Sequence, residues 1–320
     1  MSTLLRVKDL KTTFTVGEQT VTAVDKISFD IPKKSFIGLV GESGSGKSVS
    51  ALSLLNLLPP NGHRESGEIT WKGRKINTES DKDFKTIRGS EIGLIFQNPL
   101  SALNPVFTVG YQMIETIMLH QNVTKSEARE LAIELLKQVN ISDPGKRVDD
   151  YPHQFSLGMC QRVMIALTLS MNPDLLIADE PTASLDVTIQ AQILELLNGI
   201  TKKRDMSILM ISHDLGVIAQ QCDYIFIMYL GKIVEKGSPK EIFGNPLHPY
   251  TQALISSIPI PDPTKKQKIK LLEGEVPSPL NLPTGCRFHP RCPYVMDKCK
   301  AKEPKLKPHK NSDVSCYLYE

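Results

Sequence analysis

The octapeptide Gly41-Glu42-Ser43-Gly44-Ser45-Gly46-Lys47-Ser48 constrains this chain more than any other feature, because it fits G-x-x-x-x-G-K-[ST]. It lies between the apolar run Phe36-Ile37-Gly38-Leu39-Val40, which reads as a strand, and residues 48–58, which read as a helix ended by Pro59-Pro60-Asn61-Gly62. That order has a physical reason. Glycines let backbone N–H groups curl toward phosphate oxygens, and the helix adds its positive N-terminal end. Lys47 sets a cation against the β- and γ-phosphates, and the Ser48 hydroxyl suits Mg²⁺. The candidate nucleotide contacts here are Gly41, Ser43, Gly44, Ser45, Gly46, Lys47, Ser48 and Val49. A plain glycine-rich turn is the alternative reading.

The rest of the chain reads as α/β. Residues 21–31 alternate apolar and polar, and 92–96, 175–178, 207–211 and 225–228 are short apolar runs of strand size. Continuous apolar runs suit central parallel strands covered on both faces. Residues 107–140, 159–171 and 187–204 carry helical periodicity. Asp179-Glu180 closes the run at 175–178. A carboxylate there can hold Mg²⁺ through water, and the next can orient or deprotonate an attacking water. Such a pair alone is an ordinary strand end; downstream of a phosphate loop it gains meaning.

Composition sets outer limits. A chain of 320 residues with 40% hydrophobic and 23% charged residues can bury a core, which excludes a disordered chain, a collagen or a coiled coil. No apolar stretch reaches the ~18 residues of a membrane-spanning helix, and the start MSTLLRVKDL has no signal-peptide core. The chain is therefore expected at the cytoplasmic side, touching membranes only through partners. A net charge of +3 is too small for a nucleic-acid binder, and no nucleic acid is expected. Residues 261–320 hold 12 Lys+Arg against 7 Asp+Glu, and the basic run at 265–270 reads as a solvated linker. Prolines crowd in beyond Gly237, which divides the chain into domains at 1–245 and 246–320.

Cys286, Cys292, Cys299 and Cys316 fall in the second of these domains, whereas Cys160 and Cys222 stand alone and read as small buried hydrophobes. Four clustered thiols in a cytosolic protein favour a metal site over disulfides. An iron–sulfur cluster, tetrahedral Zn²⁺ and free or partly paired thiols are the options; the lack of C-x-x-C pairs tilts the reading to a [4Fe–4S] cluster. Its role would be a staple for a segment with little core. His248, His289 and His309 read as solvated surface histidines, with metal ligation the alternative. His153 reads as a packing or polar contact, and Trp71 as a half-buried aromatic.

Further motifs carry a family resemblance. Phe155-Ser156-Leu157-Gly158-Met159-Cys160-Gln161-Arg162 resembles the signature of ATP-binding-cassette proteins, L-S-G-G-Q or L-S-G-G-M. Gln97 resembles the family's Q-loop glutamine, Ser184-Leu185-Asp186 its D-loop, His213 its switch histidine and Phe14 its adenine-stacking aromatic. Phe96-Gln97-Asn98-Pro99-Leu100-Ser101-Ala102-Leu103-Asn104-Pro105, Asn245-Pro246-Leu247-His248-Pro249-Tyr250-Thr251 and Gly285-Cys286-Arg287-Phe288-His289-Pro290-Arg291-Cys292-Pro293 are similar to segments of the ATPase subunits of oligopeptide and dipeptide importers. The resemblance spans the whole chain. It implies an ABC nucleotide-binding domain, with a RecA-like P-loop core, an antiparallel β-subdomain and a helical subdomain at about 98–158, followed by a Cys-containing C-terminal extension.

The resemblance also implies a mechanism. Two ATPase subunits sandwich each ATP. One supplies Lys47, Ser48, Gln97, Asp179, Glu180 and His213; the other supplies Ser156 and Gly158, with Asp186 nearby. Glu180 is the implied general base, and His213 holds water and the γ-phosphate. Ser48, Gln97 and Asp179 hold Mg²⁺, and Gln97 also senses nucleotide. The implied partners are two transmembrane permease subunits and an extracytoplasmic peptide-binding protein. The implied cargo is di- or oligopeptide, with nickel, metal chelates or glutathione as the alternative. Cassette ATPases of DNA repair or the ribosome carry coiled-coil insertions or two cassettes, and exporters fuse membrane helices; neither pattern stands in this chain.

The chain also departs from the pattern. Leu157 replaces the first signature glycine, Cys160 stands where Arg is usual, and Lys33-Lys34-Ser35 lacks the usual Gly-Glu. A Leu where Gly allows close phosphate approach weakens the site this signature completes. The expectation is a heterodimer with a second, non-identical ATPase subunit, one site strong and one weak; simple tolerance of Leu is the alternative.

Overall fold

A computed structural model describes residues 2–78, 80–258 and 274–320; the basic run at 265–270 lies outside them. In chain order the strands are β1 (Thr3–Val16), β2 (Gln19–Pro32), β3 (Phe36–Val40), β4 (Gly62–Trp71), β5 (Arg74–Lys75), β6 (Ile92–Ile95), β7 (Leu175–Asp179), β8 (Ser207–Ser212), β9 (Tyr224–Tyr229), β10 (Lys232–Gly237), β11 (Lys307–His309) and β12 (Ser312–Val314). The helices are α1 (Lys47–Leu54), α2 (Asp81–Ile87), α3 (Pro99–Ala102), α4 (Val109–His120), α5 (Lys125–Gln138), α6 (Pro144–Arg147), α7 (Leu157–Leu169), α8 (Val187–Arg204), α9 (Leu215–Gln221), α10 (Pro239–Gly244), α11 (Pro249–Ser256) and α12 (Asp297–Ala301). The chain divides into two compact units, residues 1–79 with 210–320, and residues 80–209, and the boundary falls within β8. Among the described residues no helix is long and apolar enough to cross a membrane.

In the first unit, an antiparallel sheet runs β2-β1-β4-β5. β1 has no clean period-2 signature, because register shifts near Leu10 and a positive φ of 49° at Asp9 break its alternation. Trp71 closes β4 opposite Leu5 and is 3% exposed, so the half-buried expectation is corrected. Leu5, Val7, Phe29, Ile31 and Ile69 are buried with it. The other strands of this unit order as β11-β12-β10-β9-β3, with β3 parallel to β9 and every residue of β3 buried. A strand shielded on both faces needs no polar alternation, which is why the sequence there is continuously apolar.

The end of the chain is stitched onto this sheet: Val314 pairs with Glu235, and Asp313 with Lys236. Tyr250, Tyr229 and Phe288 form a buried aromatic cluster with ring centroids 4.6–5.6 Å apart. Each such side chain stabilises the fold by roughly 2–3 kcal/mol through burial. His248, read as a surface residue, is buried beside Phe288, and this expectation too is corrected. Its N–H donates to the Glu235 carboxylate, and its ring Nδ1 accepts the Tyr250 N–H at 3.1 Å. Burial depresses its pKa to about 3, so the ring is neutral. His289 and His309 are half-buried; the first lies 3.0 Å from the Cys286 carbonyl, the second against the Tyr319 ring.

In the second unit, β6 and β7 are parallel, Ile92 opposite Leu175 through Ile95 opposite Ala178. α7 is its buried helix, with Cys160, Val163 and Ile165 at 0% exposure. Arg162 on α7 is buried as well and donates to the Val139 carbonyl and to Gln192, each at 2.8 Å, so its charge is hydrogen-bonded. The helical stretch at 107–140 is two helices. α4 ends at His120, with Gln121 as its C-cap, and the capping box of Thr124 and Glu127 starts α5.

Candidate functional site

The phosphate loop lies in the first unit, between β3 and α1. Two glycines are dictated by backbone crowding. A Cβ at Gly41 would meet the Met228 carbonyl oxygen at 2.2 Å, and one at Gly46, where φ is 103°, would meet the Ala23 carbonyl at 2.4 Å. Gly46 caps α1 with no side-chain hydrogen bond, so an anion at this helix start would face backbone N–H groups and the positive end of the helix. Ser43 and Gly44 are exposed, Ser45 is buried, and Ser48 and Val49 are half-buried in the first turn. Lys47 is 5% exposed, and its Nζ donates to the carbonyls of Gly41 at 2.8 Å and Glu42 at 3.0 Å. The ammonium is thus folded over its own loop, where a phosphate would compete for its protons. Phe14, half-buried on β1, and His213, exposed where β8 ends, belong to the same unit. Asp214 then caps α9 through the N–H groups of Gly216 and Val217.

The second unit holds the other candidates in two groups. The parallel register that pairs Ile95 with Ala178 brings Gln97, two residues on, beside Glu180, two residues on. Gln97 Nε2 donates to Glu180 Oε2 at 3.0 Å. Asp179 ends β7 half-buried, and Glu180 adopts φ 46°, a sparsely populated conformation for a residue with a side chain. The second group is built on helix starts. Ser156 caps α7 through the Met159 N–H, and Asp186 caps α8 through the N–H groups of Thr188 and Ile189. The two starts meet at Gly158, where a Cβ would lie 2.8 Å from Ile189 Cγ2. Leu157 is half-buried at the first helical position of α7.

The four C-terminal cysteines line one small pocket with Phe288 and His248. None is in a disulfide. Burial pushes the Cys286 and Cys316 thiols up to about 11, with their neighbouring thiols acting the same way, and burial raises Cys292. Among the described residues no group of three or more His, Cys, Asp or Glu stands in a metal-holding arrangement. Cys160 and Cys222 are buried, as small hydrophobes are.

Sequence reasoning missed the residues behind the phosphate loop. The Tyr250 hydroxyl accepts the Glu42 N–H at 2.9 Å, and Arg291 forks onto the Glu42 carboxylate. No local sequence signal points to these contacts, because the partners lie more than 200 residues apart.

Comparison with known proteins gives the class. The family model for the ABC transporter matches residues 24–183, and that for the oligopeptide/dipeptide transporter C-terminal region matches residues 234–299. The chain belongs to the ABC transporter family, as an ATPase that carries this C-terminal region. Among its relatives, the oligopeptide transport ATP-binding protein AppD of Bacillus subtilis is 48% identical, covering 100% of this chain and 98% of the relative. The dipeptide transport ATP-binding protein DppD of Escherichia coli is 45% identical over 95% of this chain and 92% of its own length. A solved ATP-binding cassette, a dimer in a post-hydrolysis state with ADP and Pi, superimposes with a TM-score of 0.66 at 26% identity, covering 73% of this chain and 98% of the other. CbiO1 of Clostridium perfringens superimposes with a TM-score of 0.65 at 29% identity, covering 77% and 92%.

Proposed function

We propose that this ATPase powers the import of di- and oligopeptides, working at the cytoplasmic face of a membrane with two permease subunits and an extracytoplasmic peptide-binding protein. The similarity to peptide transport ATP-binding proteins over the full chain carries this reading, and it favours peptides over metal chelates or glutathione. Deleting the gene should abolish uptake of labelled di- and oligopeptides while leaving nickel and glutathione uptake intact. Normal peptide uptake in that strain overturns the proposal.

The residues divide the work as follows. Phe14 stacks the base. The N–H groups of Gly41, Ser43, Gly44, Ser45, Gly46 and Val49 and the Lys47 ammonium hold the phosphates. Ser48, Gln97 and Asp179 would hold Mg²⁺, which supplies charge neutralisation at the phosphate oxygens when bound. Glu180 takes a proton from a water whose oxygen bonds to the γ-phosphorus as the bond to the β-γ bridging oxygen breaks; ADP and phosphate leave. The hydrogen bond from Gln97 holds the Glu180 carboxylate until nucleotide draws that glutamine away. His213 steadies water and γ-phosphate. Ser156 and Gly158 close over the nucleotide of a second subunit, with Asp186 at that junction. The cassette runs to about residue 245, with its helical part at about 98–158, and the extension follows from 246. Leu157 supports a non-identical partner ATPase, since two copies of a weakened signature would weaken both sites.

The cysteine quartet is proposed to hold a [4Fe–4S] cluster, with Zn²⁺ the alternative. Support comes from four sulfurs lining one small pocket. A cluster held by Cys286, Cys292, Cys299 and Cys316 would supply a staple between these segments. Anaerobic purification should yield iron, acid-labile sulfide and a broad brown absorption; stoichiometric zinc without iron overturns the cluster.

A further inference from the structure

The loop between Cys286 and Cys292 contains two arginines, and each reaches toward one end of the phosphate loop. Arg291 is the residue before Cys292, and its side chain is 7% exposed. Its Nη1 donates to Glu42 Oε2 at 2.9 Å and its Nη2 to Oε1 at 3.4 Å. Glu42, the second residue of the phosphate loop, is thereby held three ways: by its carboxylate, by its N–H on the Tyr250 hydroxyl, and by its carbonyl on Lys47 Nζ. At the far end, the Ser45 carbonyl accepts the Gly231 N–H at 2.8 Å, and Gly231 returns its own carbonyl to the Asp25 N–H at 2.9 Å. Arg287, the residue after Cys286, donates to the Leu230 carbonyl and to the Asp25 carboxylate. Lys232 also pairs with Asp25, at 3.1 Å.

We propose that Arg291 and Arg287 are positioning residues for ATP: they couple the state of the cysteine module to the shape of the phosphate loop. The proposal rests on the readings that this loop holds ATP and that the four thiols can share a metal. A buried guanidinium cannot leave its carboxylate without stranding charge, so backbone 286–292 and backbone 41–45 move together. A metal held by Cys286 and Cys292 would fix the chain on both sides of the two arginines. Whatever tightens the module then tightens the loop, and by linkage bound nucleotide tightens the module's hold on metal.

The test uses the full chain carrying Glu180→Gln to stop turnover, with MgATP binding read by calorimetry. Arg291→Gln and Glu42→Gln should each weaken ATP about tenfold, and the double variant no further. Arg291→Lys should recover part of the loss. Zinc alone, added to chelator-stripped reduced protein, should tighten ATP in the parent and leave Arg291→Gln unmoved; ATP should in turn slow zinc loss to a chelator. Lys47→Ala serves as the control. If it retains ATP, the reading of the loop as the nucleotide site fails. If it loses ATP while Arg291→Gln and Glu42→Gln bind as the parent does, the positioning role is overturned and the loop reading stands. Zinc that does not bind, or that tightens ATP equally in Arg291→Gln, overturns the coupling. Should Arg291→Gln fail to fold, Glu42→Gln breaks the same pair from the exposed side.

Discussion

Gly46 in the phosphate loop and Gly158 in the signature segment are both too crowded for a side chain, but different kinds of atom crowd them. At Gly46 the obstacle is the Ala23 carbonyl oxygen, 2.4 Å from a would-be Cβ, on a residue whose φ is already 103°. At Gly158 the obstacle is a methyl group of Ile189, at 2.8 Å. A carbonyl belongs to the sheet and can move only with it, whereas a methyl can be removed by one substitution. The phosphate loop is thus specified by main chain and cannot drift. The signature segment is specified by side chains, and Leu157 stands there next to Gly158.

The largest effect belongs to Gly46→Ala. Strain at positive φ costs roughly 1–3 kcal/mol before the carbonyl clash is counted, so ATP affinity should fall by about a hundredfold or more. Equilibrium binding of MgATP checks this. Trimming Met228, whose Cε also lies 2.8 Å from the would-be Cβ, should give no rescue. Recovery in a Gly46→Ala, Met228→Ala double variant would break the comparison, because a side chain would then be the effective obstacle.

Gly158→Ala comes next. Overpacking against Ile189 should cost about 1–3 kcal/mol of stability, read by denaturant unfolding. In an Ile189→Ala background the same substitution should cost under about 0.5 kcal/mol, a coupling that a double-mutant cycle isolates. Equal costs in both backgrounds would assign the crowding at Gly158 to backbone after all.

Leu157→Gly probes the neighbouring departure with a smaller effect. In the assembled transporter it should raise ATP turnover severalfold by restoring close approach at the partner's site. An unchanged rate counts for simple tolerance of Leu.

The same contrast explains what could be read in the sequence. The phosphate loop was legible because backbone physics leaves few residue choices there, and the runs at 36–40 and 175–178 were legible because strands shielded on both faces are continuously apolar. Gln97 and Glu180 were individually visible, but their hydrogen bond depends on parallel register, which a single chain does not display. β1 was not legible because bulges erase its alternation. His248 and Trp71 were misjudged for a shared reason: a residue type's usual exposure says little once tertiary neighbours supply polar partners or a core face. The Arg291–Glu42 pair spans 249 residues, and an unremarkable x inside a motif gives no sign of such a partner.

The smallest effect tests whether side-chain specification in the second unit is felt at the phosphate loop at all. Thr124 and Glu127 form a capping box at the start of α5, within residues 80–209, while the loop belongs to the other unit. Thr124→Ala removes the side-chain acceptor of the Glu127 N–H and should cost about 1 kcal/mol. If the second unit melts as its own cooperative body, its transition should fall by roughly 3–5 °C with MgATP affinity unchanged. A calorimetric scan and a binding titration on one preparation separate the two readouts. A loss of ATP affinity in proportion to stability would mean that the loop is not specified by its own backbone neighbours alone, and the contrast between Gly46 and Gly158 would have to be redrawn as one of degree.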